Sequence, residues 1–155
     1  MDDLRDYFLK MDGIEGEAQD KVHGKEIRLH DFVLSMTKRG ARAHYGVGRA
    51  FFDDVSFSAP IDRSYPKLEQ SLAENRKIDK VVLTCRKAGK SQMDFLTITF
   101  WDVFLKSCRI EGTAAVPQME FSISFRKTEI DYRAQTELGT LGGSTMAMYD
   151  LGSLV

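Results

Sequence analysis

The chain carries almost no net charge, and that shortage is the first constraint on what it does. Its 22 lysines and arginines against 23 aspartates and glutamates leave a formal net charge of −1, without the basic excess of a nucleic-acid binder. Weak mutual repulsion lets copies of the chain associate at little electrostatic cost. Three histidines and two cysteines are too few for a ready metal centre. His23 and His30 stand seven apart, matching neither the i, i+4 spacing of a helical zinc site nor the i, i+2 spacing of a strand. The expectation there is a rim or surface histidine, not a ligand. Cys85 and Cys108 each lie inside a strand-like run, which reads as two buried thiols; a disulfide between neighbouring strands stays open, since spacing does not decide it.

Catalytic signatures are equally scarce. No G-x-S-x-G elbow occurs, and neither cysteine stands in a turn beside a base. Gly46 to Ala50 (GVGRA) lacks the lysine and following helix of a phosphate loop, and GTLGGST near the end has no strand-to-helix unit around it. No run approaches the ~20 apolar residues of a membrane helix. Asp2, Asp3, Asp6, Asp12 and Glu15 interrupt the first fifteen residues, where a secretory signal needs a basic start and an unbroken apolar core. The expectation is a cytoplasmic, non-enzymatic protein with no catalytic, cofactor or metal site and no membrane insertion.

What is present is β-pattern. At 155 residues, 43% hydrophobic and 29% charged, the chain reads as one domain with a real core. Tyr7 to Met11 is a short first strand, ended by Asp12-Gly13 and Gly16. From Ile27 to Met36 the apolar positions are Ile27 and Leu29, then Phe32, Leu34 and Met36. That one-residue phase change moves the buried face, and a bulge or a sheet corner is its simplest cause. Met119, Phe121, Ile123 and Phe125 repeat the event, giving way to Ile130 and Tyr132. Two such shifts predict bent sheets, in a barrel or two-layer structure. Phe95 to Leu105 is apolar on both sides: Leu96, Ile98, Phe100 and Phe104 against Phe95, Trp101, Val103 and Leu105. The second set is a candidate subunit interface, or else core within one monomer.

One segment, Arg63 to Arg76, reads as helix: Asp62 and Ser64 can cap it, Pro66 suits its first turn, and Tyr65, Leu68 and Leu72 form a stripe. Residues 37–50 (TKRGARAHYGVGRA) form the longest loop candidate. Its Lys38, Arg39, Arg42, His44, Tyr45 and Arg49 suit docking on acidic patches of another copy, a single nucleic-acid strand, or simply a solvated loop. Residues 135–155 form a tail in which GTLGGSTM reads as a link and Thr145 to Tyr149 as a last strand.

Taken in order, FLKMDGIEGE, GEAQDKVHGKEIRLHDFVLSM, DVSFSAPIDRSYP, VLTCRKAG, DFLTITFWDVFLKS and FSISFRKTEIDYRAQ resemble the Hcp (haemolysin-coregulated protein) family, whose members build the inner tube of type VI secretion systems. The resemblance implies one antiparallel β-barrel of two bent sheets with a flanking helix. It further implies homohexameric rings that stack into a tube, a contractile sheath and tip spike as partners, and small effectors in the lumen. Export would then use the type VI machinery without a cleaved signal. By position the 37–50 loop matches the family's extended loop, making Lys38, Arg39, Gly40, Arg42, His44, Tyr45 and Arg49 candidates for ring stacking. Its arginines and tyrosine depart from the glycine-richer common pattern, implying a more salt-sensitive contact. A monomeric small-ligand barrel is the alternative, with that loop as its lid.

Overall fold

A computed structural model of the chain describes residues 5–40, 49–87, 93–113, 115–136 and 141–152. Among these residues eleven strands and one helix follow in order: β1 (Arg5–Met11), β2 (Ile27–Leu29), β3 (Asp31–Val33), β4 (Met36–Arg39), β5 (Arg49–Phe52), β6 (Val55–Pro60), α1 (Tyr65–Ala73), β7 (Ile78–Lys87), β8 (Met93–Glu111), β9 (Gln118–Ser124), β10 (Lys127–Gln135) and β11 (Leu141–Asp150). All ladders are antiparallel. One sheet runs β2-β1-β7-β8-β10-β11, the other β8-β9-β6-β3, and β4 with β5 makes a separate hairpin.

The two phase changes mark places where the chain leaves one sheet for the other. Ile27 and Leu29 are buried on β2, which pairs with β1. His30 then donates its N–H to the Ser58 carbonyl at 2.8 Å, and β3 pairs with β6. At the second site Met119, Phe121, Ile123 and Phe125 are all buried; Arg126 donates its N–H to the Trp101 carbonyl at 3.1 Å, and β10 turns back along the first sheet.

A third switch lies inside β8. Its first part pairs with β7 and β10, its last part with β9. Between them Asp102 takes φ 53°, a conformation costing a non-glycine residue ~1 kcal/mol or more. The buried face accordingly moves from Ile98 and Phe100 to Val103 and Leu105. This corrects the two-faced reading of the strand: Val103 (0% exposed) and Leu105 (5%) join the same core as Ile98 and Phe100. Phe95 lies where the β7–β8 register slips, between the Cys85–Leu96 and Arg86–Asp94 pairs, and its ring meets Tyr132 edge-on at 6.4 Å.

Phe57, Phe100, Phe121, Leu83, Met119 and Ile123 fill the space between the sheets. Each such side chain contributes roughly 2 kcal/mol through burial. The strand path ends at β2 and β3, which are consecutive in the chain and joined only by His30. Among the described residues no ladder joins these two strands, so the expected barrel is present as two bent sheets rather than a closed ring of hydrogen bonds.

Helix α1 is shorter than the 63–76 span expected. Ser64 precedes it, but its hydroxyl turns back to Asp62 and does not cap the helix; Asp62 also accepts the Ser64 N–H at 2.8 Å. Asn75 at φ 51° ends it. Tyr65, Leu68 and Ser71 are buried, and the helix lies against β8.

Two further expectations change. Of the 37–50 loop, residues 37–39 and 49–50 are strand, in a ladder that pairs Met36 with Phe52 and Arg39 with Arg49, while residues 41–48 lie outside the described residues. All four β4 residues are exposed, so no buried face existed to impose an alternation. The GTLGGSTM link becomes strand from Leu141 onward, because β10 supplies a partner from Gln135 to Lys127.

Candidate functional site

The hairpins β4–β5 and β10–β11 enclose a groove of about 390 Å³, lined by Leu34, Met36, Phe52, Ile130, Tyr132, Met146 and Tyr149 among others. Its floor joins the core through Phe52, whose ring meets Phe125 at 5.2 Å and Tyr149 at 5.6 Å. Its rim is apolar and open: Met36, Tyr132 and Met146 are 46%, 48% and 54% exposed. Met148 and Phe51 are exposed as well, at positions that alternate with the groove-lining Ala147, Tyr149 and Phe52 along β11 and β5. Among the described residues β11 pairs with β10 alone, and none of them pairs along its other edge. Exposed apolar side chains beside an open strand edge form a surface suited to a protein partner.

Of the residues proposed for stacking, Lys38 and Arg39 stand exposed on β4 and Gly40 follows at φ 133°. Arg39 is partly neutralised within its own subunit: it donates to the Asp53 carboxylate at 2.8 Å and covers Phe51 at 5.5 Å. Asp53 also accepts the Ser35 hydroxyl at 2.8 Å. Arg49 lies on β5 opposite Arg39, while Arg42, His44 and Tyr45 fall outside the described residues. Of the proposed interface strand, Trp101 is half-buried under the Lys127 ammonium at 5.0 Å.

A second constellation escaped the sequence reading. Residues 15–26 form a strap closed at its neck by backbone bonds from Gly16 to Lys25 (2.8 Å), Ala18 to Glu26 (3.0 Å) and Lys25 to Ala18 (2.9 Å). The strap crosses the outer face of β1 and β7. Arg86, 3% exposed, donates twice to Asp20 at 2.9 Å and once to Asp6 at 3.1 Å. Arg28 also donates to Asp6. These bonds from Arg86, helped by the His23 and Val22 N–H groups, hold the Asp20 carboxyl far below the ordinary carboxylate range. His23 is buried, stacked on Phe8 at 4.6 Å, and lies between Glu26 and Asp94. The surface reading therefore holds for the exposed His30 and fails for His23. The only sequence signal was the three-residue interval of Asp20, His23 and Glu26; Asp94 and Arg86 lie too far along the chain to be matched to it.

Neither thiol takes part in a disulfide. Cys85 is buried as expected, Cys108 only half so; burial pushes the Cys108 thiol up, with Glu69 adding to the effect, which disfavours a nucleophilic thiolate. Among the described residues no group of three His, Cys, Asp or Glu side chains is arranged to hold a metal ion.

Comparison with known proteins completes the picture. Protein hcp1 of Pseudomonas aeruginosa is 28% identical over 144 residues, 89% of each chain. The crystal structure of Hcp1 from Salmonella typhimurium matches with a TM-score of 0.81 at 26% identity, over 96% of both chains. A type VI secretion system effector from Yersinia pestis matches with a TM-score of 0.77 at 29% identity, over 94% of this chain and 99% of its own. The family model described as "Type VI secretion system effector, Hcp" spans residues 8–132, and the chain belongs to that family.

Proposed function

We propose that this chain is a structural subunit of a type VI secretion inner tube, without enzymatic activity, that closes into six-copy rings and stacks them. The carrying observation is the apolar groove between the two hairpins, open at Met36, Tyr132 and Met146. A ring needs one heterologous contact that closes after a fixed number of copies, and a tube needs a second that repeats along its axis. In this reading the groove and the open edge of β11 serve the first, drawing the sheets into a closed wall. The 37–50 segment, with Lys38, Arg39, Gly40, Arg42, His44, Tyr45 and Arg49, serves the second. Sheath and spike proteins and small lumenal effectors are the partners, and the protein leaves the cytoplasm through the same machinery. The small-ligand barrel is disfavoured, because Phe57, Phe100 and Phe121 already fill the interior.

Light scattering and negative-stain imaging of one purified peak test the reading. A six-copy mass with open rings is expected; a monomer at high concentration overturns spontaneous ring closure. Met146→Glu and Tyr132→Glu should each yield folded monomers. Rings unaffected by both changes would remove the groove from the contact.

A further inference from the structure

The strap over residues 15–26 is a built structure with a polar underside, and tube formation alone gives no reason for it. Its neck is fixed by backbone bonds, and Asp20 ties it to β7 through Arg86. A further tie to the sheets runs through His23, whose ring stacks on Phe8 of β1. The ring Nδ1 stands 2.9 Å from a Glu26 carboxylate oxygen on the strap itself, and Nε2 stands 3.2 Å from both Asp94 oxygens on β8. A neutral imidazole has one N–H and one lone pair. In either tautomer it can satisfy only one carboxylate and turns its lone pair on the other. Only the doubly protonated ring donates on both sides.

We infer that His23 is a proton-operated clasp that fastens the strap to β8 when its ring is charged and releases Asp94 when it is not. Asp94 is the partner that leaves, because its side chain is 38% exposed and water can replace the ring, whereas that of Glu26 is 11% exposed. The other groups around the ring are fixed charges on neighbouring elements. Asp20 on the strap accepts the His23 N–H at 3.0 Å. Arg86 on β7 and Arg28 on β2 approach the Phe8 ring, on which His23 stacks, at 4.8 and 5.6 Å, and Asp6 on β1 joins those two guanidinium groups. Arg86 and Asp20 stay paired across the whole interval in which a histidine titrates, so opening is confined to the His23 end. The sign follows from the donor count: the clasp is closed while both ring nitrogens carry a proton and opens when one is lost, so strap protection falls in the direction of rising pH.

Two measurements on the purified wild-type protein, made from pH 5 to 9, test this. Carbon-13 NMR of labelled histidine follows the ring, and hydrogen exchange corrected for intrinsic rates follows a peptide covering the strap. Strap exchange should rise roughly tenfold, the loss of one charged hydrogen bond, over the same pH interval in which His23 titrates. Asp94→Asn and His23→Gln should each flatten that step. Asp94→Asn keeps the test intact where His23→Gln does not fold. Strap protection that stays constant while His23 titrates overturns the clasp, as does an undiminished step in either variant.

Discussion

At the scale of single residues, the most constrained atoms lie in the strap. A Cβ added to Gly16 would come within 2.5 Å of the Glu26 carbonyl oxygen and 2.8 Å of the Ile27 Cα. Both are backbone atoms in the strap neck, so Gly16→Ala should cost roughly 2 kcal/mol, read as a lower urea midpoint. Asp20 has a folded pKa well below its ordinary 3.8. A depressed carboxylate stabilises above its unfolded pKa, and that contribution fades as pH falls towards the folded value. Asp20→Asn should therefore destabilise by about 2 kcal/mol at pH 7 and by progressively less below pH 4, measured by urea titrations at several pH values. None of this was visible in the amino-acid order, because the partners of Asp20 and His23 are 66 and 71 residues away. A histidine whose carboxylates come from another strand looks, along the chain, like any surface histidine.

At the scale of elements, what was legible depended on burial. Ile27/Leu29 against Phe32, and Met119 to Phe125 against Ile130, expose a change of face because apolar runs of opposite parity flank each joint. The third joint, at Asp102, was hidden by the half-buried Trp101 and Phe104, which populate both faces and blur the alternation. The β4–β5 hairpin was illegible for the opposite reason, having a fully exposed first arm. Leu105 distinguishes core from interface at the hidden joint. Leu105→Ala should lower stability by roughly 3 kcal/mol while leaving the oligomeric mass of the folded fraction unchanged. Asp102→Val should cost ~2 kcal/mol as well, since a branched side chain strains the left-handed bend and removes the ion pairs to Arg126 and Lys77. Chemical denaturation reads both, with light scattering as the control.

At the scale of the whole molecule, a family resemblance over most of the chain supplied what composition could not, namely the expectation of assembly. A net charge near zero permits copies to meet, but the groove between hairpins became visible only once the β10–β11 ladder was placed. If rings form through that groove, thermal unfolding should shift upward with protein concentration, since association stabilises only the folded chain. Stacking through the basic hairpin should respond to salt instead. Raising ionic strength from about 0.1 M to about 1 M shortens the screening length from about 10 Å to about 3 Å, and stacks counted by negative stain should shorten while single rings persist. Rings and stacks that weaken together would place both contacts on one kind of interaction.

The strand β8 also has a mechanical meaning. Its nineteen residues span roughly 60 Å at about 3.3 Å per residue before allowing for the bend. One peptide chain thus runs as a tie-rod from the first sheet into the second, and the joints at His30 and Arg126 add two more. Layers that only pack face to face shear along a greasy plane under thrust. Here sliding one sheet past the other would have to stretch covalent backbone, so shear between the sheets is resisted by peptide bonds as well as by the core.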